Sequence, residues 1–157
     1  MQAAEAMGAE ALLVTHLTDV RYLSGYTGSS CAVALRRGRA ALFTDGRYRT
    51  QAQEECKGLR VVVQKGSPAV LAAEWLVAAG ARRCAFDASQ TSVAALDSWR
   101  KALPGKLRRS FFLSTESLVA RLREVKDTDE VAKMRRAAAL GCRLFEGVLE
   151  HIVAGAT

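Results

Sequence analysis

The run Cys31–Thr44, CAVALRRGRAALFT, restricts the fold more than any other part of this chain. Cys31–Leu35 and Ala40–Thr44 are apolar stretches joined by Arg36, Arg37, Gly38 and Arg39, and the glycine suits a tight reversal. Two apolar runs closed by a short glycine turn predict a β-hairpin, so part of the sheet must be antiparallel. Ala11–Val14 (ALLV), Leu59–Gln64 (LRVVVQ), Cys84–Phe86 and Leu107–Leu113 read as further strands, being short and apolar or β-branched. Helical patterns fall between them. Asp45 precedes GRYRTQAQEEC, where Tyr48, Ala52 and Cys56 recur at helical spacing, and is placed to cap that helix. Ser67-Pro68 supplies an N-cap and a first-position proline for a helix through Trp75 that Gly80 stops. Thr91 or Ser92 caps another, bearing Val93, Leu96, Trp99 and Leu103, and Pro104-Gly105 ends it. This alternation predicts an α/β layer fold whose mixed sheet takes its antiparallel part from the hairpin.

The last forty-odd residues follow a different pattern. Thr115–Arg123 reads as a short helix, and Lys126-Asp127-Thr128-Asp129-Glu130 opens a long one, with Asp127 and Glu130 spaced as a capping box. Val131, Met134, Ala138, Phe145, Val148 and Ile152 mark one apolar stripe, which Leu144 and Leu149 widen. Such a stripe calls for cover, either across a second copy of the chain or by folding back on its own domain.

Composition narrows the function classes. The chain has 157 residues, half of them hydrophobic and a quarter charged, as expected of one soluble globular domain with an appendage. No apolar run approaches the ~20 residues of a membrane span, and the first residues lack the basic and apolar segments of a secretion signal. Cytoplasm is therefore the expected location. The net charge of +7 invites a nucleic-acid reading, but its arginines are scattered and no stacking aromatics interleave with them. A solvated basic surface, with no nucleic acid and no membrane partner, is the expectation. Cys31, Cys56, Cys84 and Cys142 form no CxxC clip and lie in apolar surroundings, so they read as reduced, partly buried thiols.

The stretch Val20–Ser30, VRYLSGYTGSS, is the strongest candidate for a ligand loop. A phosphate cradle would need a lysine and a following helix, and this run has neither. Its reading is a strand and a glycine turn that lead into the hairpin. Ser29 and Ser30 lack a recognisable base, since His16 reads as a turn residue and His151 lies on the polar side of the last helix. Asp45, Asp87 and Asp97 look like caps or surface groups rather than a converging metal cluster. From its residues alone, this chain is a non-catalytic α/β domain.

Three ordered blocks carry a more specific likeness. VRYLSGYTGSSCAVAL with its basic turn, ALFTDGRYRTQA, and LVARLREVKDTDEVAKMRRAA together resemble the N-terminal portion of Xaa-Pro peptidases, prolidase and aminopeptidase P, whose first domain is shared with creatinase. The resemblance implies a mixed six-stranded sheet with helices on both faces over residues 1–114. Residues 115–157 would then be the linker and the first long helix of a pita-bread metallopeptidase domain. It further implies two divalent metals, commonly manganese with cobalt or zinc as alternatives, held by two aspartates, a histidine and two glutamates beyond residue 157. They activate a water that attacks the peptide bond before proline. No metal and no catalytic residue would belong to this chain, which alone should be inactive.

In such enzymes the first domain mediates dimerisation and closes over the neighbouring subunit's active site. The residue before the tyrosine of the RY-L-x-G block points toward that site. Here it is Arg21, whose guanidinium would meet the carboxylate of a short proline-containing peptide. Gly25, Gly28, Asp45, Gly46, Arg47 and Tyr48 carry over as structural residues, and Tyr22 and Tyr26 as core or rim side chains, with the core favoured. Ser24 and Tyr26 stand where threonine and phenylalanine are frequent, and both keep the hydroxyl or aromatic character. The other reading is a metal-free relative of the pita-bread enzymes that serves as a protein-binding module.

Overall fold

The structure, a computed structural model, describes residues 1–155. The chain divides into two compact units, Met1–Leu122 and the remainder from Arg123. Six strands form one sheet: β1 (Ala11–Val14), β2 (Cys31–Arg36), β3 (Arg39–Thr44), β4 (Arg60–Val63), β5 (Cys84–Asp87) and β6 (Phe112–Thr115). Their order across the sheet is β4-β3-β2-β1-β5-β6. Only β2 runs against its neighbours, pairing antiparallel with β1 and β3, while the β3–β4, β1–β5 and β5–β6 pairs are parallel. The hairpin therefore supplies the whole antiparallel part. Arg36 pairs with Arg39 beside a turn whose Gly38 takes φ +71°, a left-handed conformation that glycine adopts without a Cβ clash.

Strand periodicity divides the core into two layers. On one face Ala11, Leu13, Ala32, Ala34, Ala41, Phe43 and Phe86 pack against helices α4 (Pro68–Ala78) and α5 (Val93–Ala102) through Leu76, Trp99 and Leu103. On the other, Leu12, Val14, Val33, Leu42 and Ala85 meet α1 (Gln2–Ala6), α2 (Leu17–Ser24), α3 (Arg49–Glu55) and α6 (Leu118–Glu124) through Ala4, Val20, Ala52 and Val119. Because β1 is covered on both sides, its four residues ALLV are all buried, which explains a continuous apolar run rather than an alternating one.

Two segments depart from the expected elements. Val20–Ser24 is helical, not extended: His16 is the N-cap of α2, Asp19 sits in its first turn, and Gly25 ends it at φ +77° while its N–H bonds to the Arg21 carbonyl at 2.8 Å. The side chains of Val20 and Ser24 fall at helical spacing on the buried face, and that period overrides the β-branched and aromatic character of the run. The last strand begins at Phe112, not at residue 107. Residues 104–111 fold into successive turns, with Leu107 N–H on the Pro104 carbonyl at 2.8 Å and Phe111 N–H on the Leu107 carbonyl at 2.9 Å. Pro104 and Gly105 initiate those turns, Lys106 and Arg109 stay in solvent, and Arg108 Nε donates to the Leu103 carbonyl at 2.9 Å.

The long helix α7 (Thr128–Leu149) begins as its residues dictate. Asp127 accepts from the Glu130 N–H at 2.8 Å and Glu130 accepts from the Asp127 N–H at 3.0 Å, a complete capping box. No residue of α7 is buried. Cys142 is likewise exposed, whereas Cys31, Cys56 and Cys84 are buried. No helix among the described residues is long and apolar enough to cross a membrane.

Candidate functional site

The loop from Gly25 to Ser30 is fixed by its neighbours rather than left open. Tyr26 is 1% exposed and packs edge-on against Tyr48 with ring centroids 6.2 Å apart. The Thr44 hydroxyl donates its single proton to the Ser30 carbonyl at 2.6 Å, so the Tyr26 hydroxyl must donate to Thr44 Oγ1 at 3.2 Å. Burial pushes the Tyr26 phenol up from its ordinary pKa, which keeps it a donor. A Cβ on Gly28 would overlap the Tyr26 ring and hydroxyl, so only glycine fits there. Ser29 Oγ lies 2.6 Å from the Tyr48 hydroxyl. Both candidate nucleophile positions are thus engaged in holding the loop, Ser29 by its side chain and Ser30 by its carbonyl.

Asp45 closes the other side. It accepts from the Arg47 N–H at 3.0 Å, capping the 3-10 turn Gly46–Tyr48, and takes both arms of the Arg47 guanidinium at 3.0 and 2.9 Å. The Arg47 side chain, and after it Ser30, holds the Asp45 carboxyl well below the usual carboxylate range. Arg47 in turn sits 5.4 Å above the Tyr48 ring. Gly46 lies in that turn with open space where a Cβ would stand.

A third tie crosses from the loop to α3, and sequence reasoning missed it. Thr27 donates to Glu55 from its N–H at 2.7 Å and from its hydroxyl at 2.9 Å, and Gln51 Nε2 donates to Thr27 Oγ1 at 2.9 Å and to Glu55 at 3.1 Å. The Thr27 N–H leads in lowering the Glu55 pKa, and the nearby charge of Arg21 adds to it. Arg21 itself is exposed on the last turn of α2, and its guanidinium makes no hydrogen bond or ion pair among the described residues. Its guanidinium fork stays available while its backbone is locked by Gly25. Tyr22, expected in the core, is 42% exposed, because its position on α2 faces away from Val20.

These groups position a loop and present a cation; they do not form a reaction centre. Among the described residues no three His, Cys, Asp or Glu side chains converge to hold a metal ion. The two-metal ligand set implied by the resemblance does not fit the residues present here. His16 Nδ1 lies 3.3 Å from the buried Asp19 carboxylate, which also accepts from Ser117 Oγ at 3.3 Å. Burial pushes the Cys31 thiol up to about 11, which leaves it protonated and unreactive at neutral pH.

Comparison with known proteins agrees with this geometry. Residues 1–125 match the creatinase/prolidase N-terminal domain family. An uncharacterised peptidase, YqhT of Bacillus subtilis, is 26% identical over 149 residues, which are 95% of this chain and 41% of that protein. The Xaa-Pro dipeptidase of Bacillus anthracis superposes with a TM-score of 0.87 at 25% identity, over 99% of this chain and 42% of the other. The N-terminal domain of the cytoplasmic peptidase PepQ from Mycobacterium tuberculosis gives a TM-score of 0.70 at 32% identity, over 77% of this chain and 92% of that domain. The chain thus spans less than half the length of the longer relatives and nearly the whole of the isolated domain. With a match over most of its length, the chain belongs to the creatinase/prolidase N-terminal domain family, the first domain of Xaa-Pro peptidases.

Proposed function

We propose that this chain is the non-catalytic N-terminal domain of a dinuclear-metal Xaa-Pro metallopeptidase that cleaves the bond preceding proline. Its role is to assemble the homodimer and to close over the neighbouring subunit's active site. The observation that carries this reading is Arg21: a guanidinium with no hydrogen-bonding partner among the described residues, on a helix end fixed by the left-handed Gly25 and flanked by the Thr27–Glu55 tie. The Glu55 oxygens already accept from Thr27 and Gln51, so Arg21 feels that carboxylate as a neighbouring charge and keeps its donors for a ligand. A planar fork of this kind matches the carboxylate of a short peptide through two parallel N–H···O bonds. The domain contributes binding and enclosure; bond cleavage belongs to residues outside it.

The test is steady-state kinetics of the full-length enzyme with short and long proline-containing peptides. Arg21→Ala should lower kcat/KM for dipeptides and tripeptides about tenfold or more, as expected for loss of a charge-assisted hydrogen bond. Longer peptides, whose terminal carboxylate lies farther from the scissile bond, should be affected little. Equal kinetics for both peptide lengths in the variant would sink the Arg21 role. A full-length protein that binds no divalent metal would point instead to the metal-free binding module.

A further inference from the structure

We propose that the open groove beside the β2–β3 turn binds a small, multiply charged phosphate anion of the pyrophosphate or tripolyphosphate class. The groove has a volume of about 580 Å³ and is lined by Arg36, Arg39, Arg60 and Trp75, with Gly38 and Gly58 on its rim. That volume suits a small ligand.

Strand register puts the three arginines together. Arg36 and Arg39 are direct cross-strand partners, and Arg60 pairs with Ala41, two residues along β3 from Arg39. All three therefore project from the same face of the sheet, the face covered by α4. Like charges set directly opposite one another destabilise a strand pair. None of the three has a carboxylate within ion-pair distance among the described residues. The closest counter-groups are weaker: Arg39 lies 6.0 Å over the Trp75 ring, and Arg36 reaches toward Gly80 just past the end of α4. Glu74 lines a second depression together with Arg60 and Trp75 and makes no ion pair with Arg60 within 4 Å. The charge excess also belongs to this part of the chain. Met1–Leu122 holds 17 Lys and Arg against 10 Asp and Glu, and the residues from Arg123 hold six against six.

An arrangement that crowds unneutralised guanidinium groups around a concavity is stabilised by an anion that accepts from several forks at once. Phosphate oxygens match that donor geometry, and a chain of phosphates can span the three arginines where a single carboxylate cannot. Cβ atoms on Gly38 and Gly58 would meet nothing, so the rim leaves open space for such a ligand. This site lies at the hairpin turn and does not depend on the peptidase reading of Arg21.

The experiment is a titration of the 157-residue chain with sodium pyrophosphate and sodium tripolyphosphate at constant ionic strength, followed by calorimetry and by tryptophan fluorescence. Saturable binding is expected, with a fluorescence change from Trp75 under Arg39. Replacing both Arg36 and Arg60 by Gln should weaken binding about tenfold per arginine. Replacing both Lys106 and Arg109 by Gln removes equal charge elsewhere and should leave affinity within about twofold. Lys at positions 36 and 60 keeps the charge without the fork and should give an intermediate affinity; it also decides the matter if the Gln variant fails to fold. The proposal is overturned if no saturable signal appears, if the two Gln pairs weaken binding alike, or if the Lys pair binds as tightly as the parent chain.

Discussion

The sheet of the first unit and the helix α7 are both written in regular apolar patterns, yet only one of them is buried. Along β1, β2 and β3 the alternate residues enter two cores, one on each face of the sheet. Along α7 the stripe from Val131 to Val148 keeps its helical spacing and its complete capping box, while Met134, Leu144, Phe145 and Val148 all remain more than half exposed. Pattern and cap thus suffice to specify a helix, but they do not specify what covers it. Burial comes from a partner surface, and tertiary packing, not propensity, supplies most helical stability.

Substitution in the sheet should give the largest effect. Leu13 is fully enclosed on β1, on the face shared with Phe86 and Leu76. Leu13→Ala should destabilise the chain by about 2–5 kcal/mol, the cost of lost burial plus the cavity left behind. Denaturant melts of the 157-residue chain measure this directly. A loss below about 1 kcal/mol would mean that this layer is as loosely held as α7, and the contrast would collapse.

Acid should act on the polar ties that fasten the loop to the same unit. Glu55 has a depressed pKa, caused first by the Thr27 N–H, and Asp45 has one caused first by Arg47. A carboxylate whose folded value lies below its unfolded one stabilises the fold above about pH 4 and loses that contribution as pH falls through the folded value. Thermal stability of the parent chain should therefore decline in that acid range. Glu55→Gln should melt lower than the parent at neutral pH, and the gap should narrow on acidification. A gap that stays constant with pH would show that the tie acts by shape alone.

Much of the first unit was legible from sequence because its signals are local. The Arg-Gly turn between two apolar runs set the hairpin, Ser67-Pro68 and Ser92 set two helix starts, and the buried run ALLV set the central strand. Two failures have physical causes. In Val20–Ser24 the apolar residues satisfy both a strand and a helix period, and only contact with the second core decides for α2. The bond from Thr27 to Glu55 joins residues 28 apart, and nothing in either local sequence announces it. The Asp45–Arg47 cap was visible because its partners are two residues apart. Arg21 was singled out by resemblance alone, and the Gly25 cap and the Glu55 charge beside it emerged only from the structure.

The smallest effect is expected on α7, and it separates patterning from burial. Phe145 is 64% exposed, so truncating it removes little buried surface. Alanine also has the higher helix propensity, by up to about 0.7 kcal/mol. Phe145→Ala in the 157-residue chain should therefore shift stability by no more than about 0.5 kcal/mol in either direction. In a longer protein whose further residues cover the stripe, the same substitution should cost about 3–5 kcal/mol. Equal, small shifts in both would show that the stripe stays in solvent throughout. A large loss in the 157-residue chain that grows with protein concentration would reveal a second copy as the cover, because stability then depends on self-association.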